Sequence, residues 1–187
     1  KPSLSFKKNN ITIVLIARML WDKGINEFVQ AANMLRKNHP KTKFILIGEP
    51  DYANPSSIST KQLDNWVKYD NIEWYGYKRN ISSILKRCDI ACLPSYREGI
   101  PRVIMEAQSM GIPVLATNVP GCNDIIIDNY SGLLISVKDE NNLKNAIKKF
   151  LENQDLAISY GINARKIVKK KFKTNIINDQ ILDLYNI

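Results

Sequence analysis

Apolar positions along the chain follow two alternating rhythms. Residues 11–17, ITIVLIA, form an unbroken, largely β-branched run, which predicts a strand covered on both faces. GINEFVQAANMLRKN then sets Ile25, Phe28, Val29, Ala32 and Leu35 on one stripe at helical spacing, and KFILIG follows as a second buried strand. The alternation continues with a helix near 60–69, IEWYG as a short strand, a helix over about 80–87, DIACLP as a strand, a helix opening at Pro101, and PVLA as a strand. Beyond SGLLISV at 131–137 the pattern is helical: DENNLKNAIKKFLEN, a segment running to about Lys171, and a C-terminal helix over 174–187. Asp139 is the predicted N-cap of the first of these, with acidic residues near the positive helix end.

Short apolar strands separated by amphipathic helices imply right-handed βαβ units. The predicted fold class is therefore α/β, a Rossmann-like doubly wound parallel sheet forming one domain over residues 1–187. Ligands of such sheets bind beyond the carboxyl ends of the strands, so the loops after residues 17, 48, 76, 94 and 117 are the places for chemistry. GEPDYANPSSIST exceeds the usual loop length and reads as a functional or mobile loop.

Composition narrows the function. The chain has 187 residues, 44% of them hydrophobic, enough for one sizeable core, and no apolar run is long enough to span a bilayer. Cys88, Cys92 and Cys122 have no paired metal-ligand spacing, so a soluble domain in a reducing cytoplasm is expected, without disulfides or zinc. His39 is the only histidine and sits in the polar RKNHPKTK, where it reads as a turn residue lacking catalytic partners. Of the net charge of +9, residues 138–173 supply +6, from ten Lys/Arg against four Asp/Glu. That basic stretch could meet nucleic acid or an anionic membrane, but it has few aromatics for base stacking, and a solvated helix face is the plainer reading.

Candidate chemistry lies in the loops. In ARMLWDKG, Arg18 and Lys23 follow the first strand, where a guanidinium fork and an ammonium can neutralise a diphosphate; either is equally consistent with an ordinary surface residue. Gly24 permits a tight entry into the helix. No G-x-G-x-x-G and no P-loop motif is present, which weakens dinucleotide and NTPase readings. In PSYREGIPRVIMEA, Pro101 suits the first helical position, leaving the amides of Arg102 to Ile104 facing the loop as an anion site, with Gly99 allowing close backbone approach. Glu98 stands beside that site and Glu106 inside the helix, about 10 Å further along the chain. That is wider than the ~5 Å of a retaining glycosidase pair, so the two acids suit separate parts of one extended ligand.

Glu98 and Glu106, with seven residues between them, resemble the E-x7-E element of retaining family 4 glycosyltransferases, and Arg18 with Lys23 is similar to that family's R-x4-K loop. DIACLPSYREGIPRVIMEA, GIPVLATNVPGCNDII and GLLISVKDENNL match in the same order, with Gly132 to Leu134 resembling the segment that closes the nucleotide-sugar site. The resemblance implies the C-terminal, donor-binding half of a two-domain GT-B enzyme, with residues 1–10 as the interdomain linker and the N-terminal acceptor-binding domain outside this chain. It implies that Arg18 and Lys23 bind the donor diphosphate without a metal cofactor, that Glu98 holds sugar hydroxyls, and that Glu106 holds the ribose. Gly99, Ile100, Pro101 and Val103 would contact sugar or phosphate, Gly48 would line the donor site, and Tyr77 with Lys78 would meet the base.

PGC at 120–122, where the family often carries G-G-x-x-E, and SYREGIPR resemble bacterial members that assemble surface or lipid-linked oligosaccharides. A UDP-linked N-acetylhexosamine is the donor so implied, with a glycan or lipid-linked acceptor, peripheral contact at the inner membrane face, and no nucleic acid partner. The alternatives are a catalytically silent nucleotide-sugar binding module and a basic nucleic-acid-binding domain.

Overall fold

The computed structural model describes residues 10–185, so residues 1–9 of the expected linker and residues 186–187 lie outside the described residues. Six strands form one parallel sheet: β1 (Thr12–Ile16), β2 (Lys43–Ile47), β3 (Ile72–Trp74), β4 (Ile90–Leu93), β5 (Val114–Thr117) and β6 (Leu133–Ile135), in the spatial order β3-β2-β1-β4-β5-β6. The register aligns Val14 of β1 with Ile45 of β2 on one side and with Ala91 of β4 on the other.

The apolar runs are continuous because both faces of the sheet are covered, and alternate residues feed two cores. Ile13, Leu15, Phe44, Leu46, Ile90, Cys92 and Leu115 enter one core, beneath α1 (Ile25–Arg36), α2 (Thr60–Trp66) and α6 (Glu140–Glu152). Val14, Ile45, Ile47, Ala91, Leu93, Val114 and Ala116 enter the other, beneath α3 (Ile81–Leu85), α4 (Arg102–Ser109) and α5 (Cys122–Ile125). The predicted stripe of α1 is buried in full, and Phe28 meets Phe44 edge to face at 5.4 Å. Asp139 caps α6, accepting a bond from the Asn142 amide at 2.7 Å. α7 (Gln154–Lys171) packs across α4, its Gly161 lying so close to the Gly111 carbonyl that a β-carbon would collide with it, and α8 (Thr174–Tyr185) ends the described chain.

Several details depart from the periodicity. Pro101 is the N-cap of α4, with extended backbone (φ −74°, ψ 104°), and Arg102 is the first helical residue. α2 and α3 are shorter than expected, and two single-turn elements were not signalled: α5, and a 3-10 turn over Trp21–Lys23. Elements this short bury too few apolar residues to establish a period. The three cysteines are free and buried, and His39 lies in the turn after α1, its amide bonded to the Leu35 carbonyl at 2.8 Å.

Candidate functional site

The sheet order reverses at β1. Its following connection leads to β2 on one side, while β4 lies on the other, so the loops leaving β1 and β4 diverge above a shared crevice. Sequence places Arg18 to Gly24 in one loop and Pro94 to Pro101 in the other.

The two loops are fitted to each other. Gly24 adopts a left-handed conformation (φ 69°), and a β-carbon there would collide with the Pro94 carbonyl. The Tyr96 amide donates to the Asp22 carbonyl at 2.8 Å, and the Ser95 hydroxyl donates to the same oxygen at 3.1 Å. From β5, the Thr117 hydroxyl donates to the Ser95 carbonyl. Gly121 supports the second loop from beneath: its left-handed backbone (φ 82°) lies against the Gly99 carbonyl, with no room for a side chain.

This fit brings Lys23 and Glu98 together across 75 residues of sequence, as an ion pair of 2.7 Å with 18% and 14% of the two side chains exposed. Most of the pair is withdrawn from water, so each charge depends on the other and the loss of either leaves a costly buried ion. The Cys122 thiol is nearby; burial and then the Glu98 charge push it up to about 12, so it stays protonated.

Arg18 takes a different partner. Its guanidinium contacts Asp51 at 2.6 Å in the exposed loop after β2. Expected to act beside Lys23, Arg18 instead borders a cleft of about 520 Å³ over the carboxyl ends of β1 and β2, together with Gly48, Glu49, Asp51, Tyr77, Lys78 and Arg79. Gly48 is held in its wall: its amide donates to the Gly76 carbonyl at 2.9 Å, and its carbonyl accepts from the Trp74 indole at 2.8 Å. The long loop is strapped to the first one, with Met19 bonding to Glu49, Trp21 to Ser56 and Ile58 to Met19.

Glu106 lies in the second turn of α4. Among the described residues its carboxylate makes no hydrogen bond or ion pair; it faces a second opening, beside Arg79, Asn80, Ile81 and Ser82. Arg79 and Ile81 border both openings, which joins Glu106 to the cleft of Arg18.

Among the described residues the amides of Arg102 and Val103 at the start of α4 have no partner, whereas the Ile104 amide is taken by the Pro101 carbonyl at 3.1 Å, so the expected set of three free amides is two. Gly99 and Ile100 are exposed, and a β-carbon on Gly99 would meet nothing within 4 Å, so open space rather than a packed neighbour lies over that backbone. Asp51, Glu49 and Arg79 were not identified from the sequence. Asp51 stood in a loop already marked as functional, and Arg79 directly follows Tyr77 and Lys78, but nothing local assigned either one a partner.

The arrangement has a chemical sense. Two cations paired with carboxylates, two helix amides unbonded among the described residues and an adjoining cleft can accept an extended ligand with negative charge near its centre and hydroxyls on both sides. Among the described residues no group of three or more His, Cys, Asp or Glu gathers as a metal site. Among them, too, no helix is long and apolar enough to cross a membrane.

Known proteins resemble this chain in sequence and in fold. A Campylobacter jejuni N,N'-diacetylbacillosaminyl-diphospho-undecaprenol alpha-1,3-N-acetylgalactosaminyltransferase is 33% identical over 100% of this chain and 48% of its own length. An Escherichia coli UDP-Gal:alpha-D-GlcNAc-diphosphoundecaprenol alpha-1,3-galactosyltransferase is 30% identical over 97% of this chain and 47% of its own. The chain spans about half the length of the curated relatives it matches. The crystal structure of Anabaena HepE in complex with UDP and glucose superposes with a TM-score of 0.85 at 23% identity, over 95% of this chain and 48% of that one, a likeness of fold. With residues 1–167 matching the family described as glycosyl transferases group 1, the chain belongs to that family, and its sheet is that of a GT-B C-terminal domain.

Proposed function

We propose that this chain is the donor-binding half of a retaining glycosyltransferase that moves a sugar from a UDP-sugar to a glycan or lipid-linked acceptor. The observation that carries the reading is the Lys23–Glu98 pair at the switch point, a cation and an acid held by the two loops that border the crevice. The relatives' names add support: one transfers N-acetylgalactosamine, another takes galactose from UDP-Gal, and HepE was crystallised with UDP. An N-acetylhexosamine is the preferred sugar of the proposal.

In this reading the diphosphate draws Lys23 from Glu98 and Arg18 from Asp51, and it accepts the Arg102 and Val103 amides. When the bond between the anomeric carbon and the β-phosphate oxygen breaks, the electron pair goes to that oxygen, where fixed cations and amides stabilise it most as the charge develops. In this reading the cations and amides carry that charge without a metal. The freed Glu98 accepts hydrogen bonds from sugar hydroxyls beside Gly99, Ile100 and Pro101, Glu106 takes the ribose, and Tyr77 with Lys78 meets the base. The acceptor hydroxyl attacks from the leaving-group side, and its proton passes to the departing phosphate oxygen, so this half supplies no general base.

The acceptor site belongs to an N-terminal domain in this proposal, and the isolated chain transfers no sugar. The setting is the cytoplasmic face of a membrane: Lys169, Lys170 and Lys171 are exposed in the last turn of α7 and suit anionic lipid. Titration with UDP, UDP-N-acetylhexosamines, GDP and GDP-mannose tests the core of the reading. Saturable binding of uridine compounds, lost in Arg18→Ala and Glu106→Ala, is expected. A preference for GDP compounds would overturn the assigned base, and wild-type affinity in both variants would overturn the assigned site.

A further inference from the structure

The loop carrying Glu98 is anchored by a contact outside the crevice. Tyr96, two residues before Glu98, donates its hydroxyl to Oε1 of Glu27 at 2.6 Å. Glu27 stands in the first turn of α1 and is only 7% exposed, on a helix face otherwise buried through apolar side chains. Its other oxygen, Oε2, is buried without a hydrogen-bond partner among the described residues. A carboxylate in such surroundings is costly unless it is bonded, and the Tyr96 hydroxyl is its recorded side-chain partner.

Two further contacts converge on Tyr96. The Tyr96 amide is bonded to the Asp22 carbonyl, one residue before Lys23, at 2.8 Å. The Lys138 ammonium lies 5.0 Å from the centre of the Tyr96 ring. Lys138 belongs to the turn before α6 and holds a left-handed backbone (φ 58°) that a non-glycine residue adopts at some cost. Burial and the neighbouring Glu27 and Asp22 charges raise the Tyr96 hydroxyl well above its ordinary range, so it remains a donor at any working pH.

Lys23 is set by other means. Its amide donates to the Leu20 carbonyl at 3.1 Å and that of Gly24 to Trp21 at 3.1 Å, bonds that do not involve Tyr96. The hydroxyl of Tyr96 therefore bears on the Glu98 arm of the pair more than on the Lys23 arm.

From this geometry we infer that Tyr96 and Glu27 are positioning residues: their hydrogen bond fixes the 95–99 loop so that Glu98, once released by Lys23, addresses the donor sugar. Neither touches the ligand. The inference rests on the proposed role of Glu98 and extends it to sugar discrimination, with the nucleotide grip left to Arg18, Lys23 and Glu106.

The test is calorimetric titration of the 187-residue chain with UDP, UDP-N-acetylgalactosamine, UDP-N-acetylglucosamine, UDP-galactose and UDP-glucose, alongside thermal unfolding. Wild type is compared with Tyr96→Phe, which keeps the ring beneath Lys138 and removes only the hydroxyl, with Glu27→Gln, whose amide oxygen still accepts, and with Glu98→Gln. For the sugar nucleotide that binds best, Tyr96→Phe is expected to lower its affinity relative to UDP by about tenfold, with UDP itself changed by less than about twofold. Glu98→Gln is expected to lose the same preference, and Glu27→Gln to keep it. If Glu98→Gln loses the preference and Tyr96→Phe keeps it, the positioning role is overturned while the function of Glu98 stands. If Tyr96→Phe weakens UDP and the sugar nucleotides equally, or Glu27→Gln loses the preference, the hydrogen-bond account is overturned. If Glu98→Gln keeps the preference, or wild type has none, the reading of Glu98 falls and the inference with it.

Discussion

Replacing Glu98 by Gln should strengthen the binding of UDP while abolishing any advantage of a sugar nucleotide over it. A phosphate oxygen bonded to Lys23 Nζ at about 2.8 Å would lie no more than about 5.5 Å from the carboxylate now 2.7 Å from that nitrogen. Two unit charges so placed repel by roughly 0.8 kcal/mol in water and about 3 kcal/mol at an effective dielectric constant near 20. With 14% of the Glu98 side chain exposed the site lies between these limits, so removing the charge should tighten UDP about five- to thirtyfold. The same substitution leaves Lys23 with a neutral partner in a mostly buried position and should lower the melting temperature by a few degrees, roughly 2–6 °C. Calorimetry with UDP at fixed ionic strength, repeated at high salt, reads the first effect, and a thermal melt without ligand reads the second. Unchanged or weaker UDP binding in a folded Glu98→Gln chain would refute the reasoning, because it would mean that Lys23 does not meet the diphosphate.

Asp51→Asn should raise UDP affinity by a smaller factor, about two- to fivefold in calorimetry, with almost no change in urea stability, because the Arg18–Asp51 pair is largely exposed. Gly121→Ala should cost about 2–4 kcal/mol in urea unfolding, since the added β-carbon meets the Gly99 carbonyl and the backbone at φ 82° disfavours it. Burial, with Asp89 and Glu98 adding to it, pushes the Cys88 and Cys122 thiols from the ordinary 9.0 up to about 12, so the folded chain holds these protons more tightly than the unfolded one. Their contribution to stability is complete below pH 9 and lost as pH rises toward about 12, by at most about 1.4 kcal/mol per pH unit for each thiol, and urea midpoints should fall less steeply there in a Cys88→Ala, Cys122→Ala variant.

What the sequence determined by itself is the part of the structure governed by local burial. The runs at 13–17 and 44–47 are apolar at every position because helices cover both faces, and Ile25, Phe28, Val29, Ala32 and Leu35 recur at helical spacing because one side of α1 meets the sheet. The same legibility reached the site as far as loops and spacings go: Arg18 and Lys23 lie in the segment after β1 and Glu98 in the loop after β4, while Glu106 stands within α4 at a second opening. Tertiary structure alone decided the partners. Arg18 and Lys23 read as a matched pair of cations, yet they face carboxylates 33 and 75 residues away, and Tyr96 reaches Glu27 across 69. Gly121 likewise stood in the sequence only as the glycine that the P-G-C turn keeps, and the fold puts the Gly99 carbonyl where its side chain would stand. Periodicity records which face of an element leaves water. Which charge meets which depends on loops brought together by the strand order, and that information is held by the whole sheet rather than by any one segment.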